Sequence, residues 1–221
     1  MPSLTRVFRN RQEAGLALAE VLRPLLGTPD LLVLGIPRGG VPVAFEVATV
    51  LHAPLDVFVV RKLGVPSDPE FAMGAIASGG VRVLHNDTIA TLHIQADVLD
   101  TVASRELAEL ERREALYRGT NETPNFRDKT LLVVDDGIAT GATTKAAIQA
   151  LRNHHPARLL LAVPTAPASA FDEIQPLVDG FVVLSTPDPF HAVAQSYAEF
   201  PQTTDAEVTH LLKLARTWSE K

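Results

Sequence analysis

Two adjacent carboxylates, Asp135 and Asp136, open a stretch in which almost every residue type has a chemical use. They follow a short apolar, β-branched run over 130–134, which reads as a strand buried on both faces of a parallel sheet. In open α/β sheets, ligands bind just outside the carboxyl ends of such strands. After the acids come Gly137, Ile138, Ala139, Thr140, Gly141, Ala142, Thr143 and Thr144, leading into a helical segment over 145–153. Small residues let backbone N–H groups approach an anion, the helix start directs free N–H groups and its dipole at negative charge, and threonine hydroxyls add donors. The loop is therefore an anion cradle, while the two acids accept hydrogen bonds and have no use for a phosphate. A ligand that engages both carries hydroxyls a few ångströms from its phosphate, and ribose 5-phosphate meets that description. The spacing lacks the Gly-Lys-Ser/Thr of a Walker A loop and the G-x-G-x-x-G of a dinucleotide fingerprint. An ordinary strand-to-helix turn with a threonine cap is the alternative. Against it, adjoining acids at a buried strand end are costly without a partner.

A second donor set lies upstream. An apolar run over 31–34 ends in Gly35-Ile36-Pro37-Arg38-Gly39-Gly40, and helical spacing follows over 41–51. Glycine amides at Gly39 and Gly40 with the guanidinium of Arg38 are suitable donors for a pyrophosphate. A third apolar run, 55–60, is expected to deliver Arg61 and Lys62 at its end. Two cations there are either a solvated loop or part of an anion site, and the second reading is preferred.

On these residues a resemblance can be stated. VVDDGIATGAT resembles the phosphoribosyl pyrophosphate motif of the type I phosphoribosyltransferases, and GIPRGG and VVRKLG resemble stretches of a bacterial group of that family with unassigned acceptor. The resemblance implies transfer of a 5-phosphoribosyl group from phosphoribosyl pyrophosphate to a nitrogenous base, with release of pyrophosphate, as in nucleotide salvage. It implies that Asp135 and Asp136 hold the ribose hydroxyls, residues 137–144 the 5-phosphate, and Arg38, Gly39, Gly40, Arg61 and Lys62 the pyrophosphate. Asp135, Asp136, Arg61 and Lys62 are then the catalytic candidates. Mg2+ would come as the cofactor, held largely by the substrate's own oxygens. Family members close a flexible loop over the reacting centre, a part that 63–71, with Glu70, or 86–94 could play. A variable hood from the chain end covers the base in that family. Here Phe190 could stack on it with His191 as a polar partner, the alternative being a core anchor and a surface histidine. A different class of function also stays open: a regulatory protein that binds the same sugar phosphate and does no chemistry, needing neither Arg61 nor Lys62.

The elements that must carry these residues follow from periodicity. Amphipathic spacing predicts helices over 9–22 and 97–117, the latter a long surface helix suited to cover or to contact with a second copy in a homodimer. Runs over 75–77 and 81–84 flank Ser78-Gly79-Gly80 as a hairpin. Strands are expected over 159–163 and 180–184, with helices over 168–174, 192–200 and 205–218. The order predicts an α/β fold, a doubly wound, mostly parallel sheet with a small antiparallel addition. One domain is expected over 1–221, its core about 31–184, with a hood formed by 186–221 and the N-terminal helix. A chain of 221 residues that is 46% apolar can bury one sizeable core. It has no cysteine, a net charge of −6 and seven histidines without metal-ligand spacing. Disulfides, thiolate metal sites and general nucleic-acid affinity are therefore not expected. No apolar run approaches membrane-spanning length, which with the lack of a signal core suggests a cytoplasmic protein.

Overall fold

The computed structural model describes residues 5–66, 68–119 and 123–219. A five-stranded parallel sheet with order β2-β1-β6-β7-β8 forms its centre: β1 (Leu31–Gly35), β2 (Leu55–Val57), β6 (Thr130–Val134), β7 (Arg158–Thr165) and β8 (Gly180–Ser185). The near-continuous apolar runs of β1, β6 and β7 are explained by cover on both faces. Successive side chains alternate between the two sides. Leu31, Val33, Leu132, Val134, Leu160 and Ala162 join one core, and Leu32, Leu34, Leu131, Val133, Leu159, Leu161 and Val163 the other.

On the first face lie α1 (Arg11–Leu22), α2 (Gly40–Leu51), the long α4 (Ala96–Arg118) and the C-terminal α7 (Asp205–Ser219). The start of α1 is set locally. Asn10 caps it by accepting from the Glu13 amide at 3.0 Å, and the Glu13 carboxylate accepts from the Arg9 amide at 2.8 Å. Gly15 lets α1 and α2 approach closely, since a Cβ there would sit 2.8 Å from the Val43 carbonyl oxygen. The second face carries α5 (Ala142–Arg152) and α6 (Ser169–Ile174), and a separate antiparallel sheet of β3 (Val60–Val65), β4 (Asp68–Ala77) and β5 (Val81–Leu84) contributes to both cores, Leu63, Val65, Met73 and Ile76 to the first and Ala77 to the second.

Several expectations are corrected here. The run over 55–60 does not stay in one sheet: β2 ends at Val57, and Val60 begins β3, where Arg61 pairs with Ile76 and Lys62 with Ala75. Residues 63–65 and 68–71 are strand, Leu63 pairing with Gly74, Gly64 with Ala72 and Val65 with Asp68, so cross-strand pairing overrides the glycine and prolines that suggested a loop. The side chain of Glu70 lies outside the described residues. In place of a loop over 86–94 there is a short helix, α3 (Asn86–Thr91). Only a 3-10 turn, Val193–Ser196, forms where a helix over 192–200 was expected. Tyr197 and the residues after it instead run beside 8–9, through Phe8 N–H to Ser196 O, Ala198 N–H to Phe8 O and Glu199 N–H to Arg9 O, each 2.8 Å. The alanines, Gln195 and Glu199 suited a helix, but long-range pairing won. Among the described residues, no helix is long and apolar enough to cross a membrane.

Candidate active site

Parallel strands all end on one edge, so the loops after β1, β6, β7 and β8 share it. Backbone bonds lace them together: Ile36 N–H donates to Val134 O at 2.9 Å, Ile138 N–H to Thr165 O at 2.9 Å and Ala166 N–H to Ser185 O at 3.1 Å. The two sequence-predicted loops, 35–40 and 135–141, are in direct contact. A Cβ on Gly39 would fall 1.9 Å from Asp136 Oδ2, and one on Gly40 would fall 2.8 Å from Asp135 Cα. Gly39 has φ −62 and ψ −30, values open to any residue. Its glycine is thus required by space and not by conformation. The Pro37–Arg38 peptide in this loop is cis.

Asp135 and Asp136 are half-buried at the end of β6. Asp135 Oδ1 accepts from the Asp136 amide at 2.8 Å. Burial, and the charge of Asp136 beside it, push the Asp135 carboxyl well above the usual carboxylate range. Burial raises Asp136 as well, opposed by the guanidinium of Arg11. Arg11 Nε reaches Asp136 Oδ2 at 2.8 Å, and the two side chains are only 11% and 15% exposed. This is a sheltered pair and not a solvated surface one. Tyr197 closes the other side, its hydroxyl donating to the Asp136 carbonyl oxygen at 2.6 Å.

The loop after the acids turns into α5 earlier than the 145 start expected from sequence. Gly141, at φ 73, is the N-cap, which only glycine adopts readily. Ala142, Thr143 and Thr144 therefore form the first helical turn, with Thr144 buried and Ala139, Thr140, Ala142 and Thr143 exposed. Gly137 and Ile138 are buried. Gly137 has no room for a side chain, since a Cβ would lie 2.6 Å from Val193 and 2.8 Å from Thr165. The N–H groups at the start of α5, where Ala142 N–H reaches Thr140 Oγ1 only at 3.5 Å, and the exposed threonines can receive an anion.

The remaining sequence candidates divide. Arg38 sits in the first loop, one-third exposed, with Nη1 4.0 Å from Asp205 Oδ1 at the start of α7. Arg61, expected at the end of a parallel strand, lies within β3 and donates through Nε and Nη2 to Glu106 of α4 at 2.9 and 2.6 Å. Lys62 is exposed on the same strand. Phe190 is half-buried and His191 exposed in the loop after β8, where the Gln195 side chain accepts from the His191 amide at 2.7 Å. Sequence reasoning missed Arg11, Tyr197 and Phe200. Arg11 carried no local signal beyond being one charge on an amphipathic helix, because its carboxylate partner is 125 residues away.

Chemically, the edge combines two carboxylates in direct contact with a glycine loop and, after them, a helix start with exposed threonines. A family model, "Phosphoribosyl transferase domain", matches residues 9–181. Proteins of two Mycobacterium tuberculosis strains, CDC 1551 and H37Rv, each named "Putative phosphoribosyl transferase", are 47% identical over 210 residues, covering 95% of this chain and 47% of theirs. The chain thus spans about half the length of the curated relatives it matches. The crystal structure of TT1426 from Thermus thermophilus is 40% identical with a TM-score of 0.82, covering 93% of this chain and 97% of that one.

Proposed function

The chain belongs to the phosphoribosyl transferase domain family and has the type I phosphoribosyltransferase fold, and from that premise we propose that it transfers a 5-phosphoribosyl group from phosphoribosyl pyrophosphate to a nitrogenous base. The bond from the ribose C1 to the pyrophosphate oxygen breaks, a bond from C1 to the base nitrogen forms, and that nitrogen gives up its proton. Asp135 and Asp136 accept from the ribose hydroxyls, residues 137–144 receive the 5-phosphate, and Arg38 with the amides of Gly39 and Gly40 receives the pyrophosphate. The observation that carries this reading is the contact of Gly39 and Gly40 with Asp136 and Asp135. It brings acceptors for hydroxyls and donors for pyrophosphate to neighbouring positions, as a single pyrophosphorylated sugar requires.

Mg2+ would be held largely by the oxygens of the bound phosphoribosyl pyrophosphate itself. When bound with the substrate, Mg2+ would neutralise charge on the leaving pyrophosphate. Fixed donors in a sheltered site stabilise developing charge more than water does. Phe190 and His191, in the loop after β8, are the candidates for meeting the base.

A second reading is a regulator that binds the same sugar phosphate without turnover. The pairing of Arg61 with Glu106 favours it, since a cation already engaged by a carboxylate is less available to a leaving group. One experiment separates the two: phosphoribosyl pyrophosphate and Mg2+ are supplied with a panel of bases and pyrophosphate release is followed. Release with one base, abolished by Asp135→Asn with Asp136→Asn, is the expected result. Saturable binding without release from any base would favour the regulator, and wild-type turnover in the double variant would overturn the ribose assignment.

A further inference from the structure

Adjacent carboxylates withdrawn from water raise a problem that the acid pair alone does not solve. Desolvation and mutual repulsion both favour protonation, and a protonated carboxyl exchanges a strong hydroxyl acceptor for a donor. We propose that Arg11 is a positioning residue for sugar binding: by holding Asp136 Oδ2 it keeps that carboxylate charged and oriented, leaving its other oxygen to accept from a ribose hydroxyl. The inference rests on the reading of the acid pair as the ribose site.

The geometry over-determines Arg11. Its Nε lies 2.8 Å from Asp136 Oδ2, Nη1 donates to the Pro201 carbonyl at 2.6 Å, and the guanidinium stacks 3.8 Å from the centre of the Phe200 ring. A Cβ on Gly39 would lie 3.2 Å from Nε, so the pyrophosphate loop, the acid loop, α1 and the C-terminal segment all converge on this one group. A guanidinium stays charged at any working pH. Among the described residues, Arg11 is the cation seen to act on Asp136. Its own loop offers Asp135, an acid, and the C-terminal segment offers the Tyr197 hydroxyl, bonded to the Asp136 carbonyl oxygen. The 35–40 loop meets the carboxylate with glycine backbone while Arg38 reaches Asp205, and on α5 Lys145 pairs with Glu173. Burial raises the Asp136 carboxyl and Arg11 opposes that rise, which is the direction the geometry requires.

The test follows two readouts on the whole chain, wild type beside Arg11→Gln and Arg11→Lys. Carboxyl 13C resonances of the ligand-free proteins report the protonation of Asp136 from about pH 4 to about pH 9. Calorimetry with Mg2+ and phosphoribosyl pyrophosphate reports affinity over the same range. In Arg11→Gln the Asp136 titration should move up, and affinity at neutral pH should fall at least about tenfold, the loss expected for one charge-assisted hydrogen bond. Its acid limb should move up in step, and Arg11→Lys should recover part of both. If the titration stays in place, or moves without any change in affinity, the inference is overturned and Arg11 only ties elements together. Wild-type protein that fails to bind the sugar would instead overturn the ribose reading, and this inference with it.

Discussion

At the residue scale, the site depends on what is absent at Gly39 as much as on what Asp136 supplies. Only a hydrogen fits between the first loop and the second carboxylate, because a methyl would be 1.9 Å from Asp136 Oδ2. Gly39→Ala is therefore expected to push the carboxylate off Arg11 while leaving the helix start at Gly40 conformationally undisturbed. Overpacking of this kind typically costs about 1–3 kcal/mol. The expected outcome is a Kd for Mg2+ and phosphoribosyl pyrophosphate raised at least about tenfold, with an unchanged far-ultraviolet dichroism spectrum. An alanine variant that bound as well as the wild type would show that the contact between the two loops does not matter to the ligand. The glycine was named in the sequence as a pyrophosphate donor, but its role as the floor under Asp136 depends on a contact between residues nearly a hundred positions apart.

At the element scale, α4 was expected as surface cover, and it proves to be anchored at its C-terminal end by a buried cluster. Arg118, only 3% exposed, donates from Nε to Asp56 of β2 at 3.1 and 3.2 Å and from Nη2 to the Val57 carbonyl at 2.7 Å. Glu114 accepts from Nη1. Burial raises the Asp56 carboxyl even with Arg118 beside it. Removing the cation strands that carboxylate, so Arg118→Ala should destabilise the protein by about 3–5 kcal/mol, read as a lower midpoint in urea unfolding. Asp56→Asn with Arg118→Met should recover part of the loss, since Asp56 is then no longer a buried unpaired charge while Glu114, 15% exposed, still loses its partner. A single variant as stable as the wild type would show that α4 does not depend on this anchor. The same helix holds Arg61 through Glu106, which a strand-end reading of VVRKLG could not foresee. The break after Val57 is where the chain leaves the parallel sheet, and neither Phe58 nor Val59 marks it as a turn.

At the scale of the whole molecule, the segment before α1 meets the segment after β8 on the edge that carries the acids. Phe8 is fully buried, 5.9 Å centre to centre from the Tyr197 ring, and residues 8–9 bond to 196–199. Tyr197 in turn holds the Asp136 carbonyl. Deleting residues 1–9 should cost about 2–3 kcal/mol from the lost burial of Phe8 alone. It should also speed hydrogen exchange at the amides of Ala198 and Glu199 while leaving those of β1 and β6 protected. Binding of the pyrophosphorylated sugar should weaken, because Arg11 and Tyr197 both lose support. Uniformly faster exchange across β1 and β6 would instead mean that the terminal pairing holds up the entire sheet.

Sequence alone determined what depends on neighbours along the chain: the buried strands of the parallel sheet, the helices with strong periodicity, and the acid pair followed by its threonine-rich loop. Those features are local because strand, turn and helix start are written in consecutive residues. Tertiary structure decided the rest. It turned 60–77 into a separate antiparallel sheet, drew Arg61 to Glu106, extended 197–200 beside the N-terminus and set Arg11 against Asp136. Each of these is a choice between partners far apart in the chain, settled by burial and charge pairing that no short window of residues contains.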